Sequence, residues 1–420
     1  MNKHNYKNLK TVFAFILLVC SFTISAQLHF DTSLSATATI KKYLTKENSG
    51  IFINSVHFQG VRKSFAGFTD PSKYAVISEG ITISTGNIYD AIGPNNRENA
   101  GIKTFGPADA DLEFLGKGKS YDAAIIVIDF IPIADTLSFD YFFASEEYPE
   151  YVNKGVNDVF AFIIKKEGEI AGKNLAVFQN AAIPISVDNI NSRKNNHLYI
   201  ANSTWSYSNV KRFENNKAAG ERSLQYQFDG FTKLLNAETV VVPGERYQLK
   251  IGITDIGDPY YDSGVFLKSG TFTARGAKPS GIDFLKLLAE HVDWELPPTF
   301  QLKSNNSYSF SLKINYDTDK YALRSDMRPS LDQLVELMSA DIRLNLTIIG
   351  HTDNQATPEY NLTLSRNRAE GIYNYLIANG VHPNRLSFEG KGQTEPLFAN
   401  TSEAVRKENR RVEFVLQLGD

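Results

Sequence analysis

The chain has 420 residues with a formal charge of -3, 42% hydrophobic and 22% charged residues, a composition ordinary for a folded protein and incompatible with a disordered one. At about 150 residues per domain this length predicts at least two structural units. The sequence pI is about 6.2, and no Lys- or Arg-rich face follows the first ten residues, which excludes the electrostatic footprint of nucleic-acid binding.

Lys3, Lys7 and Lys10 precede an apolar run from Val12 to Phe22, and Ile24-Ser25-Ala26 ends on a small residue before Gln27. Residues 1–26 therefore read as a secretory signal peptide. No later run reaches the roughly 18 apolar residues of a spanning helix, so the mature chain is expected to have no transmembrane segment. The single cysteine, Cys20, falls in the apolar run, and cleavage after Ala26 leaves no thiol for a disulfide. An alternative makes Leu17-Leu18-Val19-Cys20 a loose lipobox and Cys20 a lipidation site, although Val19 is bulky for that role.

Residues 27–277 read as an all-β sandwich with long loops. Short apolar runs at Ala123–Ile131, Leu137–Phe143, Val159–Ile164, Leu175–Phe178, Tyr247–Ile253 and Gly264–Phe272 are separated by Gly, Asn, Asp and Pro. Ile125-Ile126-Val127-Ile128 is apolar on both faces, as expected of a strand covered on both sides. Residues 278–302 form a connector with a short helix from Asp283 to Val292, stopped by Pro297-Pro298.

From residue 303 to 420 the pattern changes to a β-α-β-α-β-β order. Phe310, Leu312, Ile314 and Tyr316 alternate as in a half-buried strand. Leu331, Leu334, Val335 and Met338 recur at helical spacing, and Leu344 to Ile348 forms the next strand up to Gly350. Thr357-Pro358 opens a helix running to Asn379, Gly380 ends it, and strands follow at Arg385–Gly390 and Val412–Leu416. Both helices would cover one face of a mixed sheet, giving an α/β sandwich.

The motifs of this region are Ile314-Asn315-Tyr316-Asp317-Thr318-Asp319-Lys320, Gly350-His351-Thr352-Asp353, Tyr360 through Ala369, Gly390-Lys391-Gly392, and Asn409-Arg410-Arg411-Val412-Glu413-Phe414. Together they resemble the OmpA-like C-terminal domain. Read as residues alone, Asp353 ends a strand at the sheet rim, and Arg368 falls on the buried stripe of its helix. There an unpaired charge would be costly. An acid and a base one pocket apart suit a ligand carrying an ammonium and a carboxylate on one carbon, gripped bidentately by the guanidinium. The plainer alternative is a salt bridge between Asp353 and Arg368 that holds the fold. The resemblance implies the ligand, diaminopimelate of the peptidoglycan stem peptide, bound by Asp353 and Arg368. It further places Asn361 and Asp317 along the pocket and Arg411 at the family's C-terminal arginine. His351 reads as a structural turn residue, since no nucleophile pattern accompanies it.

In the first unit, Phe139-Asp140-Tyr141-Phe142-Phe143-Ala144-Ser145-Glu146-Glu147-Tyr148-Pro149-Glu150, with Asn157-Asp158-Val159-Phe160 and Tyr261-Asp262-Ser263-Gly264, resembles the choice-of-anchor L domain. That implies an extracytoplasmic β-rich module with no defined activity. Glu146, Glu147, Glu150, Asn157 and Asp158 are one dense acidic group, and Asp255, Asp258 and Asp262 another. Of these, Glu146, Glu147, Asp158 and Asp262 are the candidate ligands of a Ca²⁺ ion, oxygen-only donors on loops. No other cofactor is implied.

The expected function is that of a cell-envelope protein, located in the periplasm or at the outer membrane. It would be tethered non-covalently to peptidoglycan and present a β domain to an outer-membrane or surface partner. An alternative puts the function in the β domain, as an adhesin or assembly factor. A third, a glycan-active enzyme using Glu146 and Glu150, has only the pair of carboxylates behind it.

Overall fold

The computed structural model describes residues 28–72, 75–95, 101, 103–155, 158–178, 182–202, 226–278, 299–304, 307–312, 316 and 320–419. The signal peptide with Cys20, the helix expected over Asp283–Val292, Asn157 and Asp317 lie outside the described residues.

The first unit is built from two sheets. A nine-stranded sheet runs in the order β1 (His29–Asp31), β3 (Phe65–Thr69), β4 (Glu79–Ser84), β13 (Ser263–Lys268), β6 (Thr136–Ser145), β10 (Gly230–Thr232) and β9 (Tyr199–Ala201). Two further strands, β11 (Leu235–Val240) and β14 (Thr273–Arg275), pair with β6. A five-stranded sheet runs β2 (Ile51–Gln59), β5 (Ser120–Pro132), β12 (Tyr247–Ile256), β7 (Val159–Lys166) and β8 (Lys173–Asn174). Ile81, Phe139, Phe143 and Val265 from the first sheet share one core with Ile126, Phe160, Phe162 and Ile251 from the second.

Strands apolar on both faces are explained by what lies outside that core. Helix α2 (Ala110–Gly116) follows a short α1 (Ala36–Thr39), and its Leu112 packs with Val159, Ala161 and Ile256 on the outer side of the five-stranded sheet. Asp109 caps α2 by accepting from the Leu112 amide at 3.1 Å. The nine-stranded sheet carries its own outer cluster of Phe68, Phe142, Phe266, Tyr226 and Phe231, with Phe142 and Phe266 stacked at 4.6 Å. The strand expected over Leu175–Phe178 is not one. Asn174 turns the chain there, accepting from the Phe162 and Ala176 amides, and only an isolated bridge joins Val177 to Pro184.

In the second unit the sheet order is β15 (Thr299–Ser304), β16 (Ser307–Leu312), β19 (Val412–Leu418), β17 (Leu344–His351) and β18 (Leu386–Gly392). β17 and β18 are parallel and the other pairs antiparallel. Helices α3 (Arg328–Ala340) and α4 (Pro358–Ala378) bury Leu331, Leu334, Met338, Ala369, Ile372 and Leu376 against Leu346, Ile348, Val412 and Phe414. Thr357 caps α4 as its sequence predicts. Two elements differ from the expected order. β15 begins inside the expected connector, and a third helix, α5 (Glu403–Asn409), stands between the last two strands, capped by Ser402.

The two units touch. The Asn48 and Gly50 amides donate to the Ser339 and Ala340 carbonyls at the end of α3 (2.8 and 3.1 Å), Lys41 pairs with Glu336, and Phe52, Ile131 and Ile133 join the core under α3.

Candidate functional site

The C-terminal end of β17 carries the motif Gly350-His351-Thr352-Asp353. Gly350 is there because α4 comes too close for anything larger: a Cβ would lie 2.0 Å from the Ser365 carbonyl oxygen. The Ser365 hydroxyl in turn accepts from the Gly392 amide at 2.9 Å, clamping the helix to the ends of both parallel strands. Since Gly350 faces α4, His351 faces the opposite side of the sheet. Its Nε2 lies 3.6 Å from Glu413 Oε2, and the imidazole is buried.

Asp353 is 7% exposed, at the rim. Its Oδ1 accepts from the Gln355 amide (3.1 Å) and its Oδ2 from Arg410 Nη1 (2.6 Å). Arg410 Nη2 also donates to Glu403 Oε1 (2.6 Å), so a chain of charge runs from α5 to the rim. Burial works against the charge on Arg410, but its bonds to Glu403 and Asp353 outweigh that and hold the guanidinium above its ordinary value. Asp353 thus forms its ion pair with Arg410, and the mutual Asp353–Arg368 bridge of the plainer reading is not formed.

Arg368 is 2% exposed. Its Nε donates to the Lys320 carbonyl (2.9 Å), and its guanidinium lies 4.8 Å from the centre of the Tyr316 ring. The Tyr316 hydroxyl donates to the Arg368 carbonyl (3.2 Å), and burial pushes that phenol above its ordinary value. The Tyr316 ring and the Lys320 carbonyl are therefore packed against the guanidinium.

Asn361 acts as a brace. Its amide nitrogen is within hydrogen-bonding distance of the Asp353 carbonyl (3.0 Å), the Ala356 carbonyl (3.3 Å) and Gln393 Oε1 (2.7 Å), fixing the loop that carries the carboxylate. Arg411 Nη2 donates to the Glu395 carbonyl at 3.2 Å, and the side chain stands 3.7 Å from Glu413. Burial lowers the Arg411 guanidinium despite Glu413. Arg411 thus ties down the loop after β18. Asn409 does the same: its Oδ1 accepts from the Leu397 and Phe398 amides. The partner of Asp353 is the residue that sequence reasoning missed. Arg410 stands in the same motif as Arg411, but spacing gives no reason to prefer one guanidinium over the other.

Of the candidate Ca²⁺ ligands, Glu146, Glu147, Asp158 and Asp262 are all buried near one end of the β unit. Among the described residues no three such side chains are gathered closely enough to hold a metal as they stand. No described helix is long and apolar enough to cross a membrane.

The profile of the choice-of-anchor L domain matches residues 27–273, more than half of the chain. The chain belongs to the choice-of-anchor L family. Behind that domain comes an OmpA family domain, matched over residues 315–410. Curated relatives of this choice-of-anchor L protein match about a quarter of the chain. An outer membrane protein A of Bordetella avium is 36% identical over 105 residues, 25% of this chain and 54% of its own length. A peptidoglycan-associated lipoprotein of Rhizobium meliloti is 33% identical over 104 residues, 25% of this chain and 59% of its own. The chain therefore spans little more than half the length of these relatives. Among solved structures, the peptidoglycan-associated lipoprotein of Burkholderia pseudomallei is 28% identical, with 27% of this chain and 90% of that one covered at a TM-score of 0.24.

Proposed function

We propose that the protein is a peptidoglycan-bound envelope component. In this reading its OmpA family domain takes the diaminopimelate centre of a stem peptide between Asp353 and Arg368, and its β domain faces a partner in the outer membrane or at the surface. The observation that carries this reading is the preparation of Asp353. The carboxylate is held by Gln355 and Arg410, its loop is braced by Asn361, and it stands at the rim where an ammonium can reach it. Arg368, stacked on Tyr316, has its position fixed before any carboxylate arrives, which lowers the ordering cost of binding. The likeness to relatives named as peptidoglycan-associated lipoproteins supports the coarser part of this reading, an association with peptidoglycan.

The docking of the two domains fits this arrangement. Contacts to the β domain fall at the end of α3, beside the start of β17, whereas Asp353 follows the end of β17. At about 3.3 Å per residue, that strand separates the two by roughly 23 Å. Among the described residues, these contacts between the two domains lie away from the rim, which suits a rim that meets the cell wall.

Co-sedimentation of the chain with diaminopimelate-type sacculi tests the reading. Asp353→Asn and Arg368→Ala should each weaken binding by about 10- to 100-fold, the cost of one charged hydrogen-bonded contact at roughly 1.5–3 kcal/mol. Circular dichroism must show both variants folded. Wild-type protein that stays in the supernatant, or folded variants that pellet like wild type, would rule the reading out.

A further inference from the structure

Helix α3 of the OmpA family domain is finished off by residues of the other domain. A helix leaves the carbonyls of its last turn without intrahelical donors, and a glycine in the left-handed conformation commonly turns the chain back to supply them. Here the residue after Ala340 is Asp341 in extended conformation (φ -137°, ψ 117°), and the last turn carries no basic side chain. The donors come from far away in the sequence. The Asn48 amide donates to the Ser339 carbonyl (2.8 Å) and the Gly50 amide to the Ala340 carbonyl (3.1 Å), both from the turn that leads into β2.

That turn is anchored to the β domain. Gly50 has a φ of +70°, and a Cβ on it would fall 2.2 Å from the Ala274 carbonyl oxygen. Its own carbonyl accepts from the Ile133 amide (2.7 Å), and the Ser49 carbonyl accepts from the Ala274 amide (2.8 Å). Beside the turn, Phe52, Ile131 and Ile133 are buried, and they pack with Leu334, Leu337 and Met338 in the core under α3. Ion pairs edge the contact: Lys41 with Glu336, Glu47 with Arg385 (3.6 Å) and Lys278 with the buried Asp341 (3.6 Å).

We propose that the β domain is the built-in cap and cover of α3, so that the two domains act as one unit and the β domain is held at a fixed orientation to the rim instead of swinging on a tether. Apolar contact alone is non-directional and would let the surfaces slide. Hydrogen bonds to two successive helix carbonyls are directional and fix the register of the contact. The connector expected over residues 278–302 then joins parts that already touch, and its length does not set their separation. A chain attached through the rim would present its β domain at a set height and angle.

The experiment is calorimetry and hydrogen exchange on the full chain in solution, without cell wall. Wild type should melt in one cooperative transition, with slow exchange in the segments around residues 46–52 and 335–341. Phe52→Asp would cost little on a free surface, but it buries a charge in the docked chain. It should split the transition in two and speed exchange at residues 335–341, in the other domain, by about 10-fold or more. Glu336→Lys, which sets a second cation against Lys41, should speed exchange at residues 46–52 with both domains folded, and adding Lys41→Glu should restore most of the protection. Two independent transitions in wild type overturn the proposal, as does exchange at residues 335–341 that Phe52→Asp leaves unmoved. If Phe52→Asp does not fold, the charge pair decides: exchange unchanged by Glu336→Lys overturns the proposal. No ligand enters these measurements, so their failure leaves the reading of the OmpA family domain standing.

Discussion

Gly350→Ala should destabilise the OmpA family domain by roughly 3 kcal/mol, the upper end of ordinary overpacking costs, and should remove sacculus binding in the fraction that still folds. The reason is local. The new methyl would meet the Ser365 carbonyl oxygen at 2.0 Å, a backbone atom inside a helix that cannot rotate away. Relief requires α4 to lift from β17, yet α4 carries Arg368 and Asn361 while β17 leads into Asp353. The same displacement would break the Ser365 contact to Gly392 and spread the two sides of the site. Denaturant unfolding and pelleting measured on one preparation check the link. Loss of stability with unchanged pelleting would show that the site tolerates helix movement and that its geometry is not set by this contact.

Gly350 also marks the limit of what the sequence could say. The alternation of Leu344, Leu346 and Ile348 and the helical spacing from Thr357 to Asn379 were legible, because one buried face imposes a period. So was a glycine at the strand end, but its cause, a helix backbone in contact with it, belongs to tertiary packing. α5 escaped because its buried residue is Asn409, so it shows no apolar stripe. β15 follows directly on Pro297-Pro298, which reads as the end of a connector. Asp353 and Arg368 were found through their motifs. The assignment of Asp353 to Arg410 was not, since two adjacent arginines precede β19 and only the position where the strand begins decides which one faces the rim. In the β domain the two acidic groups were visible as separate stretches. Their meeting depends on the register that sets Ser263 opposite Ser145.

That meeting has a pH consequence. Burial, with Asp258 and Asp188 adding to it, pushes the Glu147 carboxyl up to about 7. Burial together with Glu147 and Asp255 places Asp158 well above its ordinary value. Burial, opposed by Thr85 and reinforced by Asp262 and Asp122, does the same for Asp255. In the unfolded chain such groups release their protons near pH 4, so from there upward the folded state holds more protons than the unfolded one. A raised carboxylate contributes its full stability below the unfolded value and loses it as the pH climbs through the folded one. The β domain should therefore become less stable between about pH 5 and pH 8, by roughly 2 kcal/mol or more, at about 1.4 kcal/mol per pH unit for each proton in excess. Groups of opposite sense do not mask this. Asp31, lowered by its bonds to Ser33, and Asp341, lowered by Arg343 against its burial, lose their contribution only in more acid solution. Melting temperatures across this window should fall with pH for wild type and more shallowly for Glu147→Gln. A wild-type curve that is flat or rises would mean that the carboxylates are already ionised and compensated by a group other than protons.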